Sequence, residues 1–242
     1  MVLMLGISVA AFVATCAGGL FALKLKDKLH LVLGFSAGAV VAVALFDLLP
    51  EAIEMGGATH KPQELLSWLM LSFMAYLVLD RVKLLHRESP HEGHDHANHQ
   101  AMLGGGTFSA HSFLDGVAIG IAFQASVKVG AIVTIAVLTH DFSDGINTVN
   151  VVLKNRGSRN LARRWLVMDA VAPALGVLST LFFTIPTERM SLALAIFAGF
   201  FLYIGASDLI PESHHAHPKA FTTVMTLFGA LVIYLSVLWA GG

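Results

Sequence analysis

Residues 29–49 read LHLVLGFSAGAVVAVALFDLL, an apolar run in which Asp47 is the only acidic side chain. A helix needs about 20 mostly apolar residues to cross the hydrocarbon core of a bilayer, and this run has that length. Eight runs of this kind occur in the chain, at residues 3–23, 29–49, 65–85, 105–125, 129–153, 161–183, 190–210 and 221–239. The sequence therefore predicts an all-α integral membrane protein with eight transmembrane helices and the lipid bilayer as its surroundings.

The composition of the whole chain agrees with this prediction. Of its 242 residues, 56% are hydrophobic and only 13% are charged, whereas soluble domains usually carry about 25% charged residues. A net charge of -1 offers no basic face for nucleic acid, so no nucleic-acid partner is expected. The single cysteine, Cys16, excludes an intrachain disulfide, a Cys-based zinc finger and an iron–sulfur cluster.

The basic residues predict how the chain is oriented. Lys and Arg concentrate in the cytoplasmic loops of membrane proteins. If the N-terminus lies outside, then of the 15 Lys and Arg residues only Lys61, Lys128 and Arg189 lie on the outer side. Eight crossings return the chain to the same side, so both termini are predicted outside. No basic residue precedes Lys24, as one would in a signal peptide, so the first run is expected to remain as a span.

The second run has a counterpart later in the chain. Residues 37–38 and 47–51 read AG and DLLPE, and residues 198–199 and 208–212 read AG and DLIPE at the same spacing. The two runs are an odd number of spans apart, so they cross the membrane in opposite directions. Spans one to three and six to eight are therefore predicted to be inverted repeats, as in many secondary transporters. Similar membrane composition would explain shared Ala and Leu, but not the placed Asp, Pro and Glu.

Spans four and five form a second, central pair. Residues 111–116 read HSFLDG and residues 140–145 read HDFSDG, and adjacent spans are antiparallel. The predicted architecture is thus a 3+2+3 inverted-repeat bundle. In such folds the substrate site lies near the midplane, at the interface between the repeats.

The central pair carries the chemistry of a metal site. His111 and Asp115 stand four residues apart and share one helix face, and His140 and Asp144 repeat this spacing. Two further polar residues, Asp141 and Asn147, are expected to border the cavity between these two helices. Ionised Asp residues are expensive in a bilayer, but a dication would compensate them, and imidazole with carboxylate suits Zn²⁺. The alternative is a set of paired core polar groups or a proton relay.

Several other polar residues are compatible with more than one role. Ser112 adjoins the predicted site, and Asp169 in the sixth span precedes Pro173; Asp169 could be an accessory ligand or a structural residue. Residues 91–99 read HEGHDHANH, a metal-binding composition, within a predicted cytoplasmic loop at 87–104. A solvated linker is the alternative. A second cluster on the same face comprises His214, His215 and His217, and an acidic mouth at the outer end comprises Asp47, Glu51 and Glu54.

At these residues the chain resembles the ZIP family of divalent-metal transporters. Residues 111–120, HSFLDGVAIG, are similar to the family's fourth-helix pattern, and residues 140–145 to its fifth. The resemblance implies a transporter rather than an enzyme, moving zinc, and in some members iron, manganese, cobalt or cadmium, into the cytoplasm across the plasma or inner membrane. It implies ligands at His111, Asp115, His140, Asp141 and Asp144, and a transport block of spans one, four, five and six.

Two departures from the family pattern bear on the number of metal ions. Ser112 stands where many members have Asn, and Ala172 precedes Pro173 where many have Glu. We therefore expect one full-strength metal site, unless Asp169 substitutes for the missing Glu. The chain is treated as a single transmembrane domain, residues 1–242, and a homodimer is one open arrangement.

Two other functions remain open at this stage. An intramembrane zinc hydrolase would use the same His and Asp ligands, with a metal-bound water as nucleophile. A metal sensor would depend mainly on the His-rich loop. The inverted repeats and the acidic mouth favour the transporter.

Overall fold

The computed structural model of the protein describes residues 2–22, 29–57, 59–87, 94–154, 157–214 and 220–241. Within these ranges the chain is helical and contains no strand, which confirms the predicted all-α class. The α-helices are α1 (Val2–Ala22), α2 (Leu29–Val43), α3 (Leu49–Gly56), α4 (Pro62–Arg87), α5 (His94–Ala125), α6 (Val127–Lys154), α7 (Arg159–Ser179), α8 (Thr187–Tyr203), α9 (Ile210–His214) and α10 (Ala220–Gly241).

Seven helical segments in the described ranges are long and apolar enough to cross a membrane. They coincide with seven of the eight predicted spans and confirm an integral membrane protein. The fourth predicted span lies in α5, which is not among the seven because His111, Asp115 and Gln124 interrupt its apolar run. Its crossing, the inverted topology and the outer position of both termini stay predictions.

The start of α5 differs from the prediction. The helix begins at His94, so residues 94–104 of the predicted loop are helical. Within the helix, Gly105 lies against the ring of Trp165 in α7, which leaves no room for a larger side chain. His91, His215 and His217 lie outside the described residues, and the structure describes no side chain from residue 94 to residue 99.

The two helices that carry the DLLPE and DLIPE sequences share a distortion. Between α2 and α3 the chain forms a π-helical turn, Ala44–Leu48, and between α8 and α9 it forms another, Ile204–Leu209. Each turn lies just before a proline, Pro50 or Pro211. A proline lacks an N–H and clashes with the carbonyl four residues earlier, and a wider turn relieves this crowding. The likeness supports the predicted repeat.

The described chain divides into two compact units. Unit 1 comprises α1, the end of α4 from Arg81, the part of α5 up to Gly120, the part of α6 from Val137, and α7 with the 3₁₀ turn Thr180–Phe182. Unit 2 comprises α2, α3, α4 up to Asp80, the remaining parts of α5 and α6, and α8, α9 and α10.

Glycines bring the helices of unit 1 into backbone contact. A Cβ at Gly116 of α5 would collide with the carbonyl oxygen of Pro173 in α7. A Cβ at Gly145 of α6 would collide with the carbonyl oxygen of Thr15 in α1. Small residues permit this close approach in membranes, so α5 and α6 are each held against a further helix.

Unit 2 uses the same device around a different interior. Gly38 of α2 lies against the carbonyl oxygen of Thr226 in α10, and a Cβ would collide there. On α4, the ring of Tyr76 lies 5.0 Å from that of Tyr203 and 5.7 Å from that of Phe200, measured between centroids. The interior of unit 2 is therefore built mainly from apolar and aromatic side chains.

Candidate metal centre

Two side chains from α5 and two from α6 converge inside unit 1. Nε2 of His111 lies 3.2 Å from Oδ2 of Asp115, and Nε2 of His140 lies 3.3 Å from the same oxygen. Both imidazole nitrogens lie 3.8 Å from Oδ2 of Asp144. One potential ligand atom from each of the four residues lies within 4.8 Å of all the others.

The spacing of these four atoms suits a tetrahedral cation. Nitrogen and oxygen ligands at about 2.0–2.1 Å from Zn²⁺ stand roughly 3.3 Å apart in a tetrahedron. The two contacts of Asp115 match that separation, and the two of Asp144 are slightly longer. The four side chains therefore need only small movements to close on one ion.

The cluster is shielded from solvent. His111 is 8% exposed, and Asp115, His140 and Asp144 are 3% exposed or less. No Lys or Arg is among the buried side chains in the described part of the chain. Buried charges normally require a partner or a metal ion, and within this cluster each carboxylate contacts both imidazoles.

The local sequence explains how the cluster forms. The i, i+4 spacing places His111 above Asp115, and His140 above Asp144, on their helix faces. Each Asp is followed by a glycine, Gly116 or Gly145, rotated by about 100° around the helix. The acid thus faces the cluster while the glycine contacts another helix.

Asp141 is buried but lies outside the group of four. It follows His140 on α6 and is fully buried. Neither of its carboxylate oxygens has a hydrogen-bond partner among the described residues. Asn147, the other predicted edge residue, is 5% exposed and also lies outside the four converging groups.

Asp169 has a different environment from Asp141. Ser112 Oγ of α5 donates to Asp169 Oδ1 at 2.7 Å. Thr148 Oγ1 of α6 donates to Asp169 Oδ2 at 2.8 Å. All three residues are fully buried. Thr148 was not predicted as a site residue, although it lies four residues after Asp144 and so continues the polar stripe of α6.

The predicted acidic mouth lies in unit 2. Asp47 occupies the π-helical turn before Pro50 and is 4% exposed. Glu51 is half-buried and Glu54 is exposed, both in α3. These residues follow one another along a single helical segment, whereas the predicted metal ligands come from two helices.

Comparison with known proteins identifies sequences to which this chain is similar. The family model described as ZIP zinc transporter matches residues 106–236. The chain is 30% identical over 106 residues to zinc transporter ZIP6 of Homo sapiens, covering 43% of this chain and 14% of that protein. It is 23% identical over 225 residues to zinc transporter ZIP13 of Mus musculus, covering 76% of this chain and 62% of that protein. The chain thus spans less than two thirds of either relative.

Proposed function

Because the chain belongs to the ZIP zinc transporter family, we propose that it moves zinc across a lipid bilayer through the cluster on α5 and α6. The observation that carries the proposal is the convergence of His111, Asp115, His140 and Asp144 in a buried interior. These donors are of the kind that zinc prefers. The same set would accept iron, manganese, cobalt or cadmium with different affinities.

The proposed direction is uptake into the cytoplasm. It is supported by the distribution of basic residues, which leaves Lys61, Lys128 and Arg189 as the outer ones. The segment 91–99 then lies inside, where its histidines can receive the ion. We place the protein in the plasma or inner membrane, with both termini outside.

We propose that unit 1 is the transport block. It groups α1, α7 and the parts of α5 and α6 that hold the cluster. These are the spans that the family resemblance assigns to the moving part. The glycine contacts at Gly116 and Gly145 hold the two ligand helices against α7 and α1, so the block can carry the site without disassembling it.

The expected centre holds one ion. Ala172 offers no ligand atom, and the oxygens of Asp169 already accept two hydrogen bonds. Two dications about 3.5–4 Å apart repel and normally need bridging or anionic ligands. We assign Asp141 to the same ion, as a nearby carboxylate that adds charge compensation.

Uptake of radiolabelled zinc into proteoliposomes tests the proposal. Wild-type protein should load the vesicles, whereas Asp144→Ala and His111→Ala should reduce uptake to the level of empty vesicles because each removes a ligand. Glu64→Gln is the matched control, since it neutralises an exposed carboxylate in the first turn of α4. Wild-type uptake rates in Asp144→Ala would contradict the proposal.

A further inference from the structure

We propose that Asp169 is a positioning residue, which ties the two ligand helices together through Ser112 and Thr148 and so fixes the geometry of the zinc cluster. The inference rests on the proposed function only in taking the His/Asp cluster as the metal site. It assigns no metal ligand to α7. Instead, it gives this helix the task of holding α5 and α6 at the correct separation.

The placement of the two hydroxyl groups supports this role. Ser112 directly follows His111 on α5, and Thr148 lies one turn after Asp144 on α6. Their hydroxyls reach the two different oxygens of one carboxylate, at 2.7 and 2.8 Å. Asp169 therefore connects a residue beside one ligand to a residue beside another.

The chemistry of the side chain explains why a carboxylate stands at this position. An ionised carboxylate only accepts hydrogen bonds and offers two oxygens, so it can satisfy two hydroxyl donors at once. Hydrogen bonds to a charged acceptor are stronger than those between neutral groups. An amide would offer one oxygen and one NH₂ group, so one of the two hydroxyls would have to accept rather than donate, and the charge that strengthens both bonds would be lost.

The backbone around Asp169 makes the connection rigid. Four residues later, Pro173 presents its carbonyl oxygen to Gly116 of α5, and Gly176 of α7 meets the carbonyl oxygen of Phe113. The contact between α5 and α7 is thus made by backbone atoms. A shift of α7 would therefore move α5 directly, and Asp169 transmits the same constraint to α6.

Metal binding by purified full-length protein tests the role, with Co²⁺ as a spectroscopic probe and zinc uptake as a second readout. Groups that hold metal ligands in place typically contribute 10–100-fold in affinity. We therefore expect Asp169→Ala to weaken Co²⁺ binding and raise the zinc KM by about 10–100-fold, with an altered visible spectrum and still one ion per protein. Asp169→Asn and Thr148→Val should show smaller losses, because the first removes only the charge that strengthens both bonds and the second breaks one of the two bonds.

A double-mutant cycle isolates the connection from general stability. Adding Thr148→Val to Asp169→Ala should have no further effect, since Thr148 acts through Asp169. Ser8→Ala is the matched control, because Ser8 is also buried in unit 1 but donates to the carbonyl of Met4 in its own helix. It should leave the spectrum and the KM unchanged.

Three results would overturn the assignment. Wild-type Co²⁺ affinity and spectrum in both Asp169→Ala and Asp169→Asn would show that the residue positions nothing. A wild-type protein with two bound ions, one of which is lost in Asp169→Asn, would make Asp169 a ligand. Additive losses of Co²⁺ affinity in the double mutant would show that Thr148 does not act through Asp169. Failure of the wild type to transport zinc, with these binding results intact, would instead reject the proposed function.

Discussion

The two units of the protein use the same packing device for different interiors. In each, glycines let helix backbones touch, as at Gly116 in unit 1 and Gly38 in unit 2. The buried groups differ, because unit 1 encloses two histidines and four aspartates, namely His111, His140, Asp115, Asp141, Asp144 and Asp169. In unit 2 the buried charged side chain among the described residues is Asp47.

This difference shows what each interior can do. Apolar and aromatic side chains gain stability from packing alone, and no ligand is needed to complete them. Clustered carboxylates are unfavourable in a medium of low dielectric unless a cation or hydrogen-bond donors compensate them. Unit 1 is therefore the part whose stability should depend on metal, and unit 2 the part whose stability should not.

Glycine substitutions give the largest expected effect and separate the two units. Gly116→Ala and Gly145→Ala place a methyl group against a carbonyl oxygen of α7 and α1, and overpacking of this kind costs about 1–3 kcal/mol. We expect zinc uptake by the correctly inserted protein to fall more than about tenfold, because a shift of either ligand helix opens the cluster and each 1.4 kcal/mol of lost binding is tenfold.

Gly38→Ala and Gly6→Ala complete that experiment. Gly38→Ala makes a comparable collision in unit 2, so it should lower the melting temperature while the zinc KM of the folded protein stays near wild type. Gly6 has nothing within 4 Å of an added Cβ, and alanine there should leave both quantities close to wild type. An equal rise of the zinc KM in the Gly38→Ala and Gly116→Ala variants would contradict the proposed difference between the two units.

Zinc should stabilise unit 1 selectively. A ligand at 100 times its dissociation constant stabilises the bound state by about 2.7 kcal/mol. We expect hydrogen exchange of amides around His111 and His140 to slow on adding zinc. Amides of α2 and α10 should exchange at the same rate with and without the metal. Removing zinc with a chelator should restore the original pattern.

Asp144→Ala is the control for this measurement, because it keeps the fold of unit 2 and removes a ligand from unit 1. Protection by zinc should disappear in α5 and α6 of this variant. Slower exchange in α2 and α10 on adding zinc to the wild type would contradict the comparison, since it would make both interiors depend on the metal.

Much of the site could be predicted because its signals are local. The i, i+4 spacing of His111 with Asp115, and of His140 with Asp144, determines which side chains share a helix face. Charge in a long apolar run then indicates function. These two regularities were enough to select the four side chains that converge in the structure.

The hydrogen bonds of Asp169 could not be predicted in the same way. They join three helices, and spacing along one helix does not determine how that helix is rotated against its neighbours. Thr148 lay on the expected stripe, but a threonine in a membrane helix more often donates to its own backbone, as Thr15 does. The π-helical turns are likewise set by Pro50 and Pro211 together with packing, which apolar periodicity does not record.

The glycine run within α5 shows tertiary packing overriding local preference. Three consecutive glycines, residues 104–106, disfavour a helix because of their conformational entropy. In the structure Gly105 is buried against Trp165, and the contact requires that small residue. A larger helix former would not fit at this position, so a glycine stands inside the helix.

The His-rich segment gives the smallest expected effect and tests the limit of the comparison. The four converging side chains come from His111, Asp115, His140 and Asp144, and weak sites of this composition bind metal without being needed to hold it in the bundle. Replacing His94, His96 and His99 together with Gln should change the response of uptake to zinc concentration while keeping maximal uptake within about two- to fourfold, less than about 1 kcal/mol. Uptake rates measured across a range of zinc concentrations would separate the two quantities.

Substituting Gln100 and Asn98 with Ala is the matched control for disturbing the same helix. Loss of all uptake in the His variant, at normal membrane abundance, would mean that the pathway extends beyond unit 1 and that the cluster on α5 and α6 does not act alone.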